Sequence, residues 1–228
     1  MLKQYAIIGL EADVRIAIDQ NNQSEALAIT GDVDTLSLDE IIESKIEEAV
    51  RIVYEKAPVY MLDPDGEISA TPQWEGNTTG VGMGYVWLPA DFLRLVAWKM
   101  SDWDYAVAQP IYEDDVLYRQ VRSKYSGLRG CPQHPIVAIV QRDVAAVVGL
   151  AVNTDGKRLE FYTCTGGSNV TVEVAKYVKV PKIENGHIKI GDKLKDAVVY
   201  YAAYLVSRSI NETDLAQNML GIANELIS

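Results

Sequence analysis

The chain has little of what catalysis usually draws on. Its 228 residues contain two cysteines, Cys131 and Cys164, and two histidines, His134 and His187. A secreted disulfide scaffold needs more cysteine than this, so a reducing compartment is expected. No apolar run approaches the roughly 20 residues of a membrane-spanning helix, and no membrane association is expected. The opening stretch, MLKQYAIIGLEADVR, meets acid too early for the apolar core of a signal peptide, so synthesis in the cytoplasm is expected. Basic residues are also short, with 21 Lys and Arg against 32 Asp and Glu and a net charge of −11. Phosphate affinity comes mainly from Lys and Arg, which argues against a protein that wraps nucleic acid. The same balance is compatible with a protein that lets DNA slide past. There is no internal repeat and no low-complexity linker, and the length allows one large domain or two small ones.

What is present divides into helices, then strands, then helices. Leu10, Val14 and Ile18 fit one helix face between about residues 7 and 20, although Val14, Ile16 and Ile18 also fit strand alternation. NNQSEALAITGD reads as a polar connection. Ser37 and Glu40 form a capping-box pattern, each able to satisfy the other's free backbone N–H. Ile42, Ile46, Ala49 and Val53 then make an apolar stripe. Glu43, Glu47 and Arg51 occupy the wet face, with Glu47 and Arg51 at supportive i,i+4 spacing. Pro58 ends this helix, because the residue before a proline avoids the α region.

From Val59 to about Ile190 the pattern is that of strands. TPQWEGNTTGVGMGYVWLP reads as a hairpin around a glycine-rich loop, Gly76 to Gly84, and PIVAIVQR as a later strand. The stretch from Val86 to Val107 reads as one β-segment, with Phe92, Arg94, Val96 and Trp98 on one face and Leu93, Leu95 and Ala97 on the other. Trp87 and Trp98 are expected to pack the sheet, with Pro89 and Asp91 fixing the chain's entry. EDDVLYRQVRSKY is a short, mostly exposed helical interruption. Asp155-Gly156 and Asn185-Gly186 suit type I′ turns, and their flanks predict an antiparallel meander. Pro181 places its strand at an edge or an end. Leu194, Ala197, Val198, Tyr201 and Leu205 make a further helical stripe. Asn211, with Asp214 three residues on, is expected to cap a last helix carrying Leu215, Met219, Ile222 and Leu226. The predicted fold is α+β: residues 1–58 and 191–228 form a helical layer, and residues 59–190 form a large antiparallel β-rich insertion with one short helix.

No constellation for chemistry emerges. Cys131, His134, Cys164 and His187 have the residue types of a Cys2His2 zinc set, but structural zinc sites show two close ligand pairs, and here the second pair is split across a hairpin. A Cys131/His134 nucleophilic pair has a proline between its members and no orienting Asn or Asp nearby. The glycine-rich loop lacks the Lys-Ser/Thr of a phosphate loop and opens into a strand. DPDGE, residues 63–67, lacks the remaining ligands of a calcium loop and reads as a turn. Asp102/Asp104 and Asp114/Asp115 read as caps and solvated charge. The sequons at Asn77, Asn169 and Asn211 read as turns and caps. The basic run VRSKYSGLRG is expected to meet an acidic neighbouring subunit. The chain is therefore expected not to be an enzyme, with no catalytic, cofactor or metal residues assigned. Four tryptophans and thirteen tyrosines remain, with Tyr200, Tyr201 and Tyr204 crowding one helix. Such aromatics are enriched in interface centres, which points toward an assembly component.

LPADFLRLVAWKMSDW, followed by YRQVRSKYSGLRGCPQHPIVAIV, resembles a stretch of virion structural proteins from tailed phages of gut Bacteroidetes, the crAss-like group among them. The shared pattern is an LP-x-DFLRL strand, a Trp, a tyrosine/glutamine helix and an RG-x-P-x-x-P turn into a strand. LSLDEIIESKIEEAVRIVYEKAP and LKDAVVYYAAYLVSRSINETDLAQNMLGIANELI resemble the terminal helices of head–tail connector (ring or adaptor) proteins. The resemblance implies a virion protein at the head–tail junction: a homo-oligomeric ring, a dodecamer, beneath the portal protein and against neighbouring ring or tail proteins. DNA would pass through its channel without specific binding. A tail-tube or tail-completion protein is the alternative, and a small metal-dependent hydrolase using Cys131, His134 and Asp residues a more distant one.

Overall fold

A computed structural model describes residues 1–21, 38–69, 71–75, 83–121, 130–142, 155–161 and 170–228. Along the chain these form β1 (Leu2–Ala6), α1 (Ile7–Asn21), α2 (Leu38–Lys56), a 3-10 turn at Val59–Met61, β2 (Gly66–Glu67), β3 (Gln73–Glu75), β4 (Met83–Trp87), β5 (Phe92–Met100), β6 (Ile111–Tyr112), α3 (Val116–Val121), β7 (Val137–Gln141), β8 (Lys157–Phe161), β9 (Val172–Lys179), β10 (His187–Gly191), a 3-10 turn at Asp192–Leu194, α4 (Lys195–Ser209) and α5 (Thr213–Ile227). The fold is α+β, with helices and mostly antiparallel sheets. It divides into two compact units: Met1–Asp63 with Val180–Ser228, and Pro64–Lys179. Residues 59–63 and 180–190, expected in the β-rich insertion, fall in the first unit, where β10 pairs with β1.

The first unit is built around α4. Ala197, Val198, Tyr201, Ala202, Ala203 and Val206 of this helix are all buried, more of its circumference than a single stripe provides. A helix buried nearly all round needs neighbours on several sides, and α1, α2 and α5 supply them. From α1 come Leu10, Val14 and Ile18, and from α2 come Ile42, Ile46, Ala49 and Val53, the stripes legible in the sequence. Ser37, the first member of the capping-box pattern, lies outside the described residues, as does the connection 22–37. Glu43, Glu47 and Arg51 are exposed, and Glu47 accepts a hydrogen bond from the Ile183 N–H at 2.6 Å.

The end of α4 corrects one expectation. Asn211 does not cap α5; it closes α4. Its φ is +65°, the Asn211 N–H donates to the Arg208 carbonyl at 3.3 Å, and the Glu212 N–H donates to the Ser207 carbonyl at 2.9 Å. This is the Schellman arrangement, in which a left-handed residue lets its own N–H and the next one reach back to the last turn. Asparagine tolerates the left-handed region better than most residues, so the side chain that signals an N-cap serves here as a stop.

The second unit contains a three-stranded sheet, in the order β2-β9-β5, and a five-stranded sheet, in the order β3-β4-β8-β7-β6. This is not the predicted meander. β9 and β10 flank the Asn185-Gly186 turn, whose φ values of 52° and 71° suit type I′, yet the pairing there stops at Glu184 and His187. β9 pairs instead with β2 and β5. Gly156 also has positive φ, at 82°, but the arm VVGLAVN before it lies outside the described residues. The expected β3–β4 hairpin is present, with Gln73 opposite Tyr85 and Glu75 opposite Met83; residues 76–82 of its loop lie outside the described set.

The stretch from Val86 to Val107 is not one strand either. β4 ends at Trp87, the chain turns at Leu88–Asp91, where the Phe92 N–H donates to the Pro89 carbonyl at 3.0 Å, and β5 joins the other sheet. Within β5 the buried residues are Phe92, Leu95, Trp98 and Met100. The register shifts between Phe92 and Arg94 and again between Leu95 and Ala97. Each shift sets two β5 residues against one step of β9, and an inserted residue reverses the side on which the next one points. The inward period becomes three, so the predicted alternation of faces fails after Phe92. Leu88, Phe92, Leu95, Trp98, Met100 and Trp103 join Leu159 and Phe161 of β8 in one core.

Candidate functional site

Charge is distributed unevenly between the two units. In the first, 10 Lys and Arg face 19 Asp and Glu, a net charge of −9; in the second, 11 face 13, a net charge of −2. The acid of the first unit collects on α1 and α2. Glu11 on α1 is held above the ordinary carboxyl range by burial and by the carboxylates of Glu43 and Asp39. Arg15 answers part of this density, its Nε donating to Asp39 Oδ1 at 2.8 Å. Asp13 receives Lys195 Nζ at 2.7 Å. Exposed Glu43 and Glu47, and half-exposed Glu48, continue the acid along α2. The apolar stripe of α2 is turned into the core, so its charged positions are necessarily presented outward.

The β1–β10 ribbon carries charge of both signs, with Lys3, Lys189 and Lys193 exposed beside Glu184 and Asp192. β1 and β10 pair so that Tyr5 faces Ile188 and Lys3 faces Ile190, and both isoleucines are buried. Gln4 and Lys189, directly opposite each other, are exposed on the reverse face, as are Ala6 and His187. Lys3 and Tyr5 donate to Asp192 Oδ1 at 2.7 and 3.0 Å, which holds the Asp192 carboxyl below its ordinary range.

The second unit holds a buried polar network. Glu160 on β8 is fully buried and Arg158 is 7% exposed. Arg158 Nε donates to Glu160 Oε1 at 3.0 Å, and its guanidinium lies 4.2 Å from the centre of the Tyr85 ring. Tyr118 of α3 donates to Glu160 Oε2 at 3.2 Å and accepts from Arg142 Nη2 at 2.6 Å. Arg142 reaches out to Glu113 at 2.8 Å. The alternation of β8 sends Leu159 and Phe161 into the apolar core and Arg158 and Glu160 to the opposite face, against α3. Nothing in the sequence marks this pair, since KRLEF reads equally well as a strand with one solvated face.

The residues weighed for chemistry do not converge. Cys131 and His134 exchange backbone hydrogen bonds in a tight turn, His134 N–H to Cys131 carbonyl at 2.8 Å and the reverse at 3.2 Å. His187 sits on β10 of the first unit, its Nδ1 2.9 Å from the Asn185 carbonyl oxygen. Cys164 lies outside the described residues. Among the described residues no three His, Cys, Asp or Glu side chains are grouped to hold a metal ion. In DPDGE, Asp63 pairs with the N-terminal amine at 2.6 Å and Asp65 accepts from the Lys179 N–H at 2.8 Å. Asp115 accepts from the Leu117 N–H at 2.8 Å, as a cap does. Asn77, Asn169 and most of the basic run VRSKYSGLRG lie outside the described residues.

The aromatics sort by type. Trp87, Trp98 and Trp103 are core residues, and Trp74 is half-buried against it. Among the described residues the exposed aromatics are tyrosines: Tyr60, Tyr105 and Tyr112. On α4, Tyr201 is buried against Tyr204, with ring centres 5.4 Å apart, and accepts a hydrogen bond from Lys56 Nζ at 3.1 Å. Among the described residues no helix is long and apolar enough to cross a membrane.

No protein-family model, curated protein or solved structure matches the chain.

Proposed function

We propose that the chain is a structural subunit of a phage head–tail connector ring, seated beneath the portal and joining capsid to tail. The carrying observation is the segregation of charge: a helical unit built from both chain ends holds a net charge of −9, and the inserted unit holds −2. A surface of that sign repels the phosphate backbone at short range, which suits a channel that DNA must cross without sticking. In this reading the first unit lines the channel of the ring. The resemblance of the 36–58 and 194–227 helices to connector helices supports the same assignment.

The test is native mass by light scattering, of the chain alone and mixed with its phage's portal protein. The reading predicts a ring, or a monomer that joins the portal with the portal's own symmetry. A stable monomer that ignores the portal contradicts it. A complex formed with a tail protein instead would place the chain in the tail tube or its completion.

A further inference from the structure

The second unit contains a cleft of about 610 Å³, within the range of about 300–1,000 Å³ usual for ligand sites. Its origin lies in the path of one short stretch. β2 pairs with β9 through Gly66 and Glu67, and the Ile68 N–H donates to the Ala175 carbonyl at 2.9 Å. Beyond Ile68 the chain leaves β9, and β3 pairs with β4 in the other sheet. The departure leaves the cleft, with Pro72 and half-buried Trp74 on one wall and Val172 and Ala175 of β9 on the other. Among the described residues the outer edge of β9 has no strand partner from Val172 to Val174. On the inner edge, Val172 and Val174 pair with Met100 and Lys99 of β5. An open sheet edge presents a row of main-chain donors and acceptors, a template on which another extended chain pairs. The two carboxylates that line the cleft have cations of their own: Glu173 accepts from Lys99 Nζ at 2.7 Å, and Glu67 lies opposite Lys176. Charge therefore does not select what binds here; main chain and apolar surface do.

We infer that this cleft binds an extended, uncharged peptide segment of a partner protein, which continues the three-stranded sheet along β9 where β2 stops. Main-chain hydrogen bonds to the β9 edge hold the segment, the mode of strand addition to an open sheet. Side chains of a strand alternate in direction, so every second residue of the segment turns onto Trp74 and Pro72 and is apolar. The inference concerns the second unit alone and stands or falls apart from the connector reading.

Selection of a displayed library of short uncharged peptides on the immobilised full chain tests it. The strongest binder, labelled with fluorescein, is titrated by anisotropy against wild type, Thr71→Trp and Thr171→Trp. Both threonines line the cleft and are exposed, so an indole there fills the cleft while the melting temperature should stay at the wild-type value. The expected result is binding to the wild type, weakened at least tenfold in each variant. N-methylation of one alternating set of the peptide's amides should abolish binding, and methylation of the other set should leave it little changed. A library that yields no binder overturns the inference. So does a binder undiminished by the folded variants, or one indifferent to which set is methylated. Neither result bears on whether the chain joins the portal, which the mixed-protein light scattering reads separately.

Discussion

Trp98 of the three-stranded sheet and Phe161 of the five-stranded sheet meet with ring centres 5.6 Å apart and planes tilted by 30°. Phe161 also makes T-shaped contacts with Trp74 and Trp103, at 5.6 and 6.4 Å, so one phenyl ring gathers three indoles. The space for it comes from Gly84, where a Cβ would lie 1.9 Å from the ring. Trp98→Ala is expected to destabilise the second unit by about 3–5 kcal/mol, the usual range for emptying a large aromatic site. Urea denaturation followed by tryptophan fluorescence measures this. A loss under about 1 kcal/mol would mean the site collapses freely or Trp98 is not core.

The Arg158–Glu160 pair should behave as a unit. Glu160→Leu leaves the Arg158 guanidinium buried without its carboxylate and is expected to cost about 3–5 kcal/mol. Arg158→Met/Glu160→Leu replaces both charges with apolar groups and should recover most of that loss. The same denaturation assay reads both variants. If the double variant is no more stable than Glu160→Leu, the remaining links to Tyr118 and Arg142 carry the network.

Tyr177 gives the second unit an alkaline dependence. Burial first, then the hydrogen bond to Asp91 at 2.9 Å, pushes its phenol above the ordinary value of 10.0. The folded state therefore holds this proton more tightly than the unfolded chain does. The contribution is complete below the unfolded value and declines as pH rises beyond it. Tyr177→Phe should cost about 0.5–1.5 kcal/mol at neutral pH and flatten the stability curve above pH 10.0. An alkaline decline unchanged in Tyr177→Phe would assign it to another group.

The charge of the first unit predicts weak contact with nucleic acid. The wild-type chain should show no measurable affinity for duplex DNA by fluorescence anisotropy at physiological salt. Glu43→Lys/Glu47→Lys should introduce non-specific, salt-sensitive binding, with the lost Glu47–Ile183 hydrogen bond costing about 1 kcal/mol of stability. Tight binding by the wild type would remove the electrostatic basis of the channel-side assignment.

The helices were legible because their apolar spacing is unbroken: Ile42, Ile46, Ala49 and Val53 are all buried. β1 was not, since LKQYA has no alternation and becomes a strand only by pairing with β10 across the length of the chain. β5 is legible as a strand but its faces are not, because bulges at positions 93 and 96 are set by pairing with β9 and leave no local signal. Asn185-Gly186 makes the turn its sequence predicts, but the pairing around it stops at Glu184 and His187, since a turn fixes direction and not the partner chosen after it. Asn211 failed differently: one residue type serves both helix ends, and its φ of +65° decides which. The net charge could be counted in the sequence, but its concentration in one unit is visible only once the fold joins residues 1–63 to 180–228.

The most direct test of the account is a cryo-electron microscopy reconstruction of the portal protein assembled with this chain. The account predicts a ring of copies beneath the portal, with the exposed acidic residues of α2 lining the channel. Copies absent from the portal complex, or a ring whose channel is lined by the second unit, would contradict it.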